Sequence, residues 1–175
     1  PWNMVVGQIS MQWTQATGIF VAQLLGRKTP EPELERFLNS AWRGAFITAI
    51  VGSLVFVALC FSASQIYDDL SQVTHNVLFS FFPILIILPF FKSTNAICGN
   101  VLRASGDTVY VMHVFLWSQW LFRVPATALA VLYFDVSAVW VLALLLGEEI
   151  VKFPAFHIRL FSGAWKRAKV SSYSA

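Results

Sequence analysis

Charge is scarce in this chain: Asp, Glu, Lys and Arg together make up 12% of its 175 residues, where soluble domains carry roughly a quarter. Set against 57% hydrophobic residues, that deficit excludes an ordinary water-soluble domain and places the chain in a lipid bilayer. Cysteine is nearly absent as well. Cys60 and Cys98 both sit in apolar stretches, so neither a disulfide framework nor a zinc site is expected, and both are read as core packing residues. Also missing are a glycine-rich phosphate loop, a paired-histidine zinc helix and a nucleophile elbow. ATP-driven pumping and enzymatic catalysis are therefore not expected, and no catalytic residue or cofactor is assigned. His75, His113 and His157 lack ligand spacing, so no metal site is assigned either. The net charge of +3 is scattered among apolar runs without an aromatic-interleaved basic face, which argues against nucleic acid as a partner.

What the chain has is long apolar runs. A helix needs about 20 mostly apolar residues to cross the hydrocarbon core, because its backbone must satisfy its own hydrogen bonds there. Five stretches qualify, at 4–25, 45–61, 77–101, 109–132 and 136–153. The predicted fold is all-α, a polytopic transmembrane bundle of about five spans followed by a tail at 154–175. The opening Pro1-Trp2-Asn3 lacks a basic leader, so no cleavable signal peptide is expected. An abrupt apolar start and an odd number of spans suggest part of a longer polypeptide. Basic residues mark every second connection: Arg27, Lys28, Arg36 and Arg43, then Arg103, then Arg159, Lys166, Arg167 and Lys169. The alternate connections hold Asp68, Asp69 and His75, and then Asp135. Retention of positive charge in the cytoplasm predicts an outer start and a cytoplasmic C-terminus. Glu31, Glu33, Glu35 and Arg36, after Pro30 and Pro32, predict a short surface helix within 26–43. Pro83 and Pro89 predict a bend in the third span.

Polar side chains inside these runs are the candidate functional residues, since each is unfavourable at depth and tends to face a partner or a water-filled path. Lys92 falls near the middle of the third span and Arg123 deep in the fourth. Glu148 and Glu149 lie in the last span, with Lys152 four and three positions onward, within reach for helical pairing. In one reading Lys92, Arg123 and a glutamate bind substrate or relay protons; in the other they are structural ion pairs. An apolar setting makes a lysine easy to deprotonate, so Lys92 is also read as a candidate proton-coupled switch. Gln8, Gln12 and Gln15 share one face of the first span, which lines a cavity or packs against another helix.

Several motifs resemble those of multidrug and toxic compound extrusion (MATE) transporters. Val21-Ala22-Gln23-Leu24-Leu25-Gly26 looks like that family's Val-Gly-Gln-x-Leu-Gly signature. Val101-Leu102-Arg103-Ala104-Ser105-Gly106-Asp107-Thr108 resembles its Leu-Arg-Gly-x-Gly-Asp-Thr connection, and Trp120-Leu121-Phe122-Arg123-Val124-Pro125 its aromatic-x-x-Arg-x-Pro pattern. Val139-Trp140 and the basic tail from Ser162 to Arg167 continue the same order. The resemblance implies helices eight to twelve of a twelve-helix transporter, within its C-terminal six-helix lobe, with the N-terminal lobe missing. It implies efflux of bulky, often cationic organic compounds in exchange for protons or sodium ions across the inner (plasma) membrane. Sodium-coupled relatives place a carboxylate in the tenth helix where this chain has Lys92, which favours proton coupling or an anionic substrate. Two other readings stand beside it: a lipid-linked sugar or polysaccharide flippase of the same superfamily, and an accessory membrane subunit without transport of its own.

Overall fold

The computed structural model describes residues 2–66, 72–163 and 165. Asp68, Asp69 and the tail residues Lys166, Arg167 and Lys169 lie outside the described residues, as do the side chains of Gln8, Cys60 and His75. Every described element is a helix: α1 (Trp2–Gly26), α2 (Glu31–Ile66), α3 (Gln72–Ala104), α4 (Thr108–Trp117), α5 (Val124–Leu132) and α6 (Ala138–Phe161). A π-helical turn, Ser118–Arg123, joins α4 to α5 without a break, so the elements form five rods. α3 is the central rod and packs against α1, α2, α4 and α6. Two stretches, Phe79–Ala104 and Thr108–Leu132, are long and apolar enough to cross a membrane. Along the second, Val109, Met112, Leu116, Trp117, Trp120, Leu121 and Leu129 are all exposed. Such a surface suits lipid and not water.

Two helix ends show why the sequence turns where it does. At the end of α3, the Asp107 N–H donates to Leu102 O at 2.9 Å and the Gly106 N–H to Arg103 O at 3.0 Å. This is the paired closure in which the residue past the cap takes a left-handed conformation, and Gly106 has φ +91°. The Gly-Asp-Thr part of the motif is thus a helix stop followed at once by the start of α4. α1 ends the same way, with Thr29 N–H donating to Leu24 O at 3.1 Å and Lys28 N–H to Leu25 O at 3.1 Å. Here a lysine occupies the left-handed position, at φ 53°.

The surface helix expected within 26–43 is not separate: it is the first part of α2. No proline follows Pro32 in α2, and Leu34, Leu38, Ala41, Ala45 and Ala49 are buried at spacings of three and four. One apolar stripe therefore continues from the connection into the apolar run. α6 likewise runs past the expected end at 153, through Pro154, to Phe161. Pro154 withholds its N–H from Ile150 O, yet α6 continues; two of its carbonyls also accept from other helices, Ala155 O from Tyr110 Oη at 2.9 Å and Glu149 O from Asn95 Nδ2 at 2.8 Å. α3 runs as one helix through Pro83 and Pro89, and Ser53 Oγ of α2 donates to Ile86 O at 3.0 Å in the turn before Pro89.

The buried apolar residues sit toward one end of the bundle. Val21, Leu34, Leu38, Ala45, Ile97, Cys98, Val101, Leu102, Val111, Phe156, Leu160 and Trp165 form this cluster. It lies beside the connection that carries Arg27 and Lys28 and the last turn of α3, which carries Arg103, and this end is called the basic end below. Arg159 reaches across it from α6, its Nε donating to Asp107 Oδ2 at 2.7 Å and its guanidinium 4.9 Å from the Tyr110 ring centre. The hydrogen bond to Asp107 is the main reason that the Arg159 guanidinium holds its proton more tightly than usual.

Candidate functional site

Above this core, α6 carries Glu148, Glu149 and Lys152 toward α3 and the π turn. Spacings of three and four bring Lys152 alongside both acids. Lys152 Nζ lies 3.1 Å from Glu148 Oε1 and 2.8 Å from Glu149 Oε1. The outer oxygens are used as well: Arg123 Nη1 lies 3.5 Å from Glu148 Oε2, and Asn95 Nδ2 donates to Glu149 Oε2 at 2.9 Å. The Phe115 ring covers the lysine, with its centre 5.1 Å from Nζ. Two cations and two carboxylates thus form one line of charge from α3 through α6 to the π turn, with no net charge if all four are ionised.

Burial grades along this line. Lys152 and Glu148 side chains are 5% and 8% exposed, whereas that of Arg123 is 43% exposed. The inner members are held by the protein, and the arginine is the member that reaches the surface. Its place follows from the π turn, whose extra residue per turn re-aims side chains relative to an α-helix and often marks functional positions. Gly147 sits where a Cβ would meet the Phe122 ring at 3.1 Å, so α6 approaches the π turn closely at the level of the acids.

Of the residues singled out in the sequence, Arg123, Glu148 and Glu149 meet in this network. Lys92 does not: it is exposed on α3, and among the described residues no carboxylate lies within ion-pair distance of it. Gln12 and Gln15 are exposed on α1, while Thr14 and Thr17, facing inward beside them, bond to their own helix at Met11 O and Trp13 O. Asn95 and Lys152's aromatic cover, Phe115, were not singled out. The polar run Ser93-Thr94-Asn95 in an apolar stretch was the available signal, and all three residues are buried. A second polar contact links α2, α3 and α6 closer to the core. Trp42 Nε1 donates to His157 Nε2 at 3.1 Å, Cys98 Sγ lies 3.6 Å from the same nitrogen, and His157 Nδ1 is 2.8 Å from Phe153 O. An imidazole protonated on Nδ1 and unprotonated on Nε2 satisfies this arrangement.

The model of one protein family, MatE, matches residues 1–129. The match takes in Asn95 and Arg123 and stops before Glu148, so α6 supplies its acids from outside the matched region. No curated protein and no solved structure matches the chain. With most of its length covered by that family and an all-helical bundle bearing lipid-compatible faces, the chain belongs to the MatE family of membrane transporters.

Proposed function

We propose that this chain is the greater part of the C-terminal lobe, helices eight to twelve, of a secondary active transporter that exports organic compounds by proton-coupled antiport. One observation carries the reading: a charge-balanced line that runs from half-exposed Arg123 through buried Glu148 and Lys152 to Glu149 and Asn95 inside an apolar bundle. Charges at membrane depth are retained for ion or substrate pathways more often than for stability. Protonating either glutamate breaks the balance and weakens its hold on Lys152, and a carrier needs only such a difference in ligand affinity between two conformations. The groups facing the acids are Asn95 from α3, Phe115 from α4, Arg123 from the π turn and Lys152 from α6. Exported compounds of this reading are bulky and often cationic, the N-terminal lobe completes the cavity, and the protein lies in the plasma (inner) membrane with its C-terminus in the cytoplasm.

The test uses the full-length transporter in sealed vesicles loaded with a fluorescent organic cation. An imposed proton gradient should drive efflux and a sodium gradient should not; Glu149→Gln should slow it by about tenfold, the scale of a 1.4 kcal/mol change. Efflux driven by sodium alone, or unaltered in Glu149→Gln, overturns the reading. Exposed Lys92 favours a second reading, export of an anionic, lipid-linked sugar, because a cation without an acidic neighbour suits a pyrophosphate. Loss of anionic-lipid movement in Lys92→Ala with organic-cation efflux intact would select it. An accessory subunit, the remaining alternative, predicts no transport in either assay.

A further inference from the structure

α2 and α6 both pack on α3, and the indole of Trp42 joins them to each other through His157. The direction of that hydrogen bond is fixed, because an indole Nε1 only donates and His157 Nε2 therefore accepts. The other ring nitrogen, Nδ1, is 2.8 Å from Phe153 O, which only accepts, so Nδ1 carries the proton. The imidazole is buried. The Phe153 ring stacks on it with ring centres 3.8 Å apart, and Trp42 meets it edge-on. A second proton has one place to go, Nε2, where it sets N–H against N–H. The surroundings offer no good replacement partner. From α3 comes the Cys98 thiol, whose Sγ is 3.6 Å from Nε2 and a weak acceptor. From α4, Tyr110 gives its hydroxyl to Ala155 O. Along α6 itself, Arg159 is turned to Asp107 and Lys152 to Glu148 and Glu149. Among the described residues no ion pair includes His157.

We propose that Trp42 and His157 form a proton-sensitive clasp between α2 and α6, closed while the imidazole is neutral and opened when Nε2 takes a proton. The open form holds one proton more than the closed form, so acid favours opening. Cys98 ties the clasp to the buried apolar cluster, and opening therefore loosens the bundle toward its basic end. A proton at this place biases the fold between two arrangements. The clasp shares no residue with the charge line, and its test reads stability and thiol exposure rather than transport.

The full-length protein and its Trp42→Phe and His157→Gln variants are purified and melted at about pH 7.5 and about pH 5.5, on either side of the ordinary histidine range. Trp42→Phe keeps a ring and removes the donor. It should lower the midpoint by about 2 °C at the higher pH and by about half as much or less at the lower, where the bond is already broken. His157→Gln offers an oxygen to accept and gains no proton, so its midpoint should fall less in acid than the parent's. Cys98, fully buried, gives a second readout. In a form with Cys98 as its sole cysteine, a dithiodipyridine, which thiols attack even in weak acid, should react about tenfold faster at the lower pH after normalisation to free glutathione. That rise should vanish in His157→Gln. A Trp42→Phe cost that is equal at the two pH values, or a Cys98 rate that rises in acid as much without His157 as with it, overturns the clasp. Should His157→Gln fail to fold, the pH dependence of the Trp42→Phe cost decides alone.

Discussion

At the scale of single residues, the balance of the charge line makes its members unequal. Removing one partner of a buried ion pair leaves an uncompensated charge and costs about 3–5 kcal/mol, so Glu148→Gln should lower the melting midpoint sharply, because Arg123 and Lys152 both lean on it. Arg123→Gln should cost only about 0–1 kcal/mol, since its side chain is 43% exposed and solvent or headgroups screen it. Comparing the two midpoints in detergent checks the order. The left-handed caps give a second comparison. Gly106→Ala should destabilise by about 1–2 kcal/mol, whereas Lys28→Gly removes a strain of the same kind and should stabilise. The charged members of the line could be read from the sequence because a carboxylate or guanidinium in an apolar run has few ways to be satisfied. Asn95 could not, since an amide makes no comparable demand; nor could the face of Lys92 be read, because a single residue step separates exposed Lys92 from buried Ser93 on α3.

At the scale of elements, each apolar run falls on one of the five rods, and two of them, Phe79–Ala104 and Thr108–Leu132, are long and apolar enough to cross a bilayer. Their ends were less legible. α2 begins early and α6 finishes late because packing continues past the expected ends, with Leu34 and Leu38 buried in α2 and Phe156 and Leu160 buried in α6 beyond Pro154. Close approach between rods was also hidden. At Gly44 on α2 a Cβ would stand 2.6 Å from Trp13 Cζ2 on α1, and Trp13 Nε1 already donates to Ala41 O at 3.4 Å. Small residues permit such contacts between membrane helices. Gly44→Ala should therefore force α1 and α2 apart and cost about 1–3 kcal/mol. Replacing Trp13 by Leu in the same chain should recover part of the lost midpoint; no recovery would place the strain elsewhere.

At the scale of the whole molecule, the rods alternate in direction, so the Gly26–Glu31 connection, the Gly106 turn and the end of α6 share one end. Ser137, before α6, lies at the other. In intact cells a membrane-impermeant thiol reagent should label Ser137→Cys in a cysteine-free full-length protein, and should label Arg27→Cys and Ser162→Cys only after lysis. Labelling of Arg27→Cys and Ser137→Cys from the same side would break the bundle's topology. Which rods neighbour which was not legible, since periodicity names an inward face without naming what it meets; the central place of α3 is a property of the assembled fold. Because the buried apolar cluster lies toward the basic end, the rods are gripped there as the tines of a fork are gripped at the handle. Toward the tips α2 and α3 are joined by lighter contacts, Phe61 against Phe79 and Phe82, so a tilt about the handle would displace the tips most and shear the charge line set between the two.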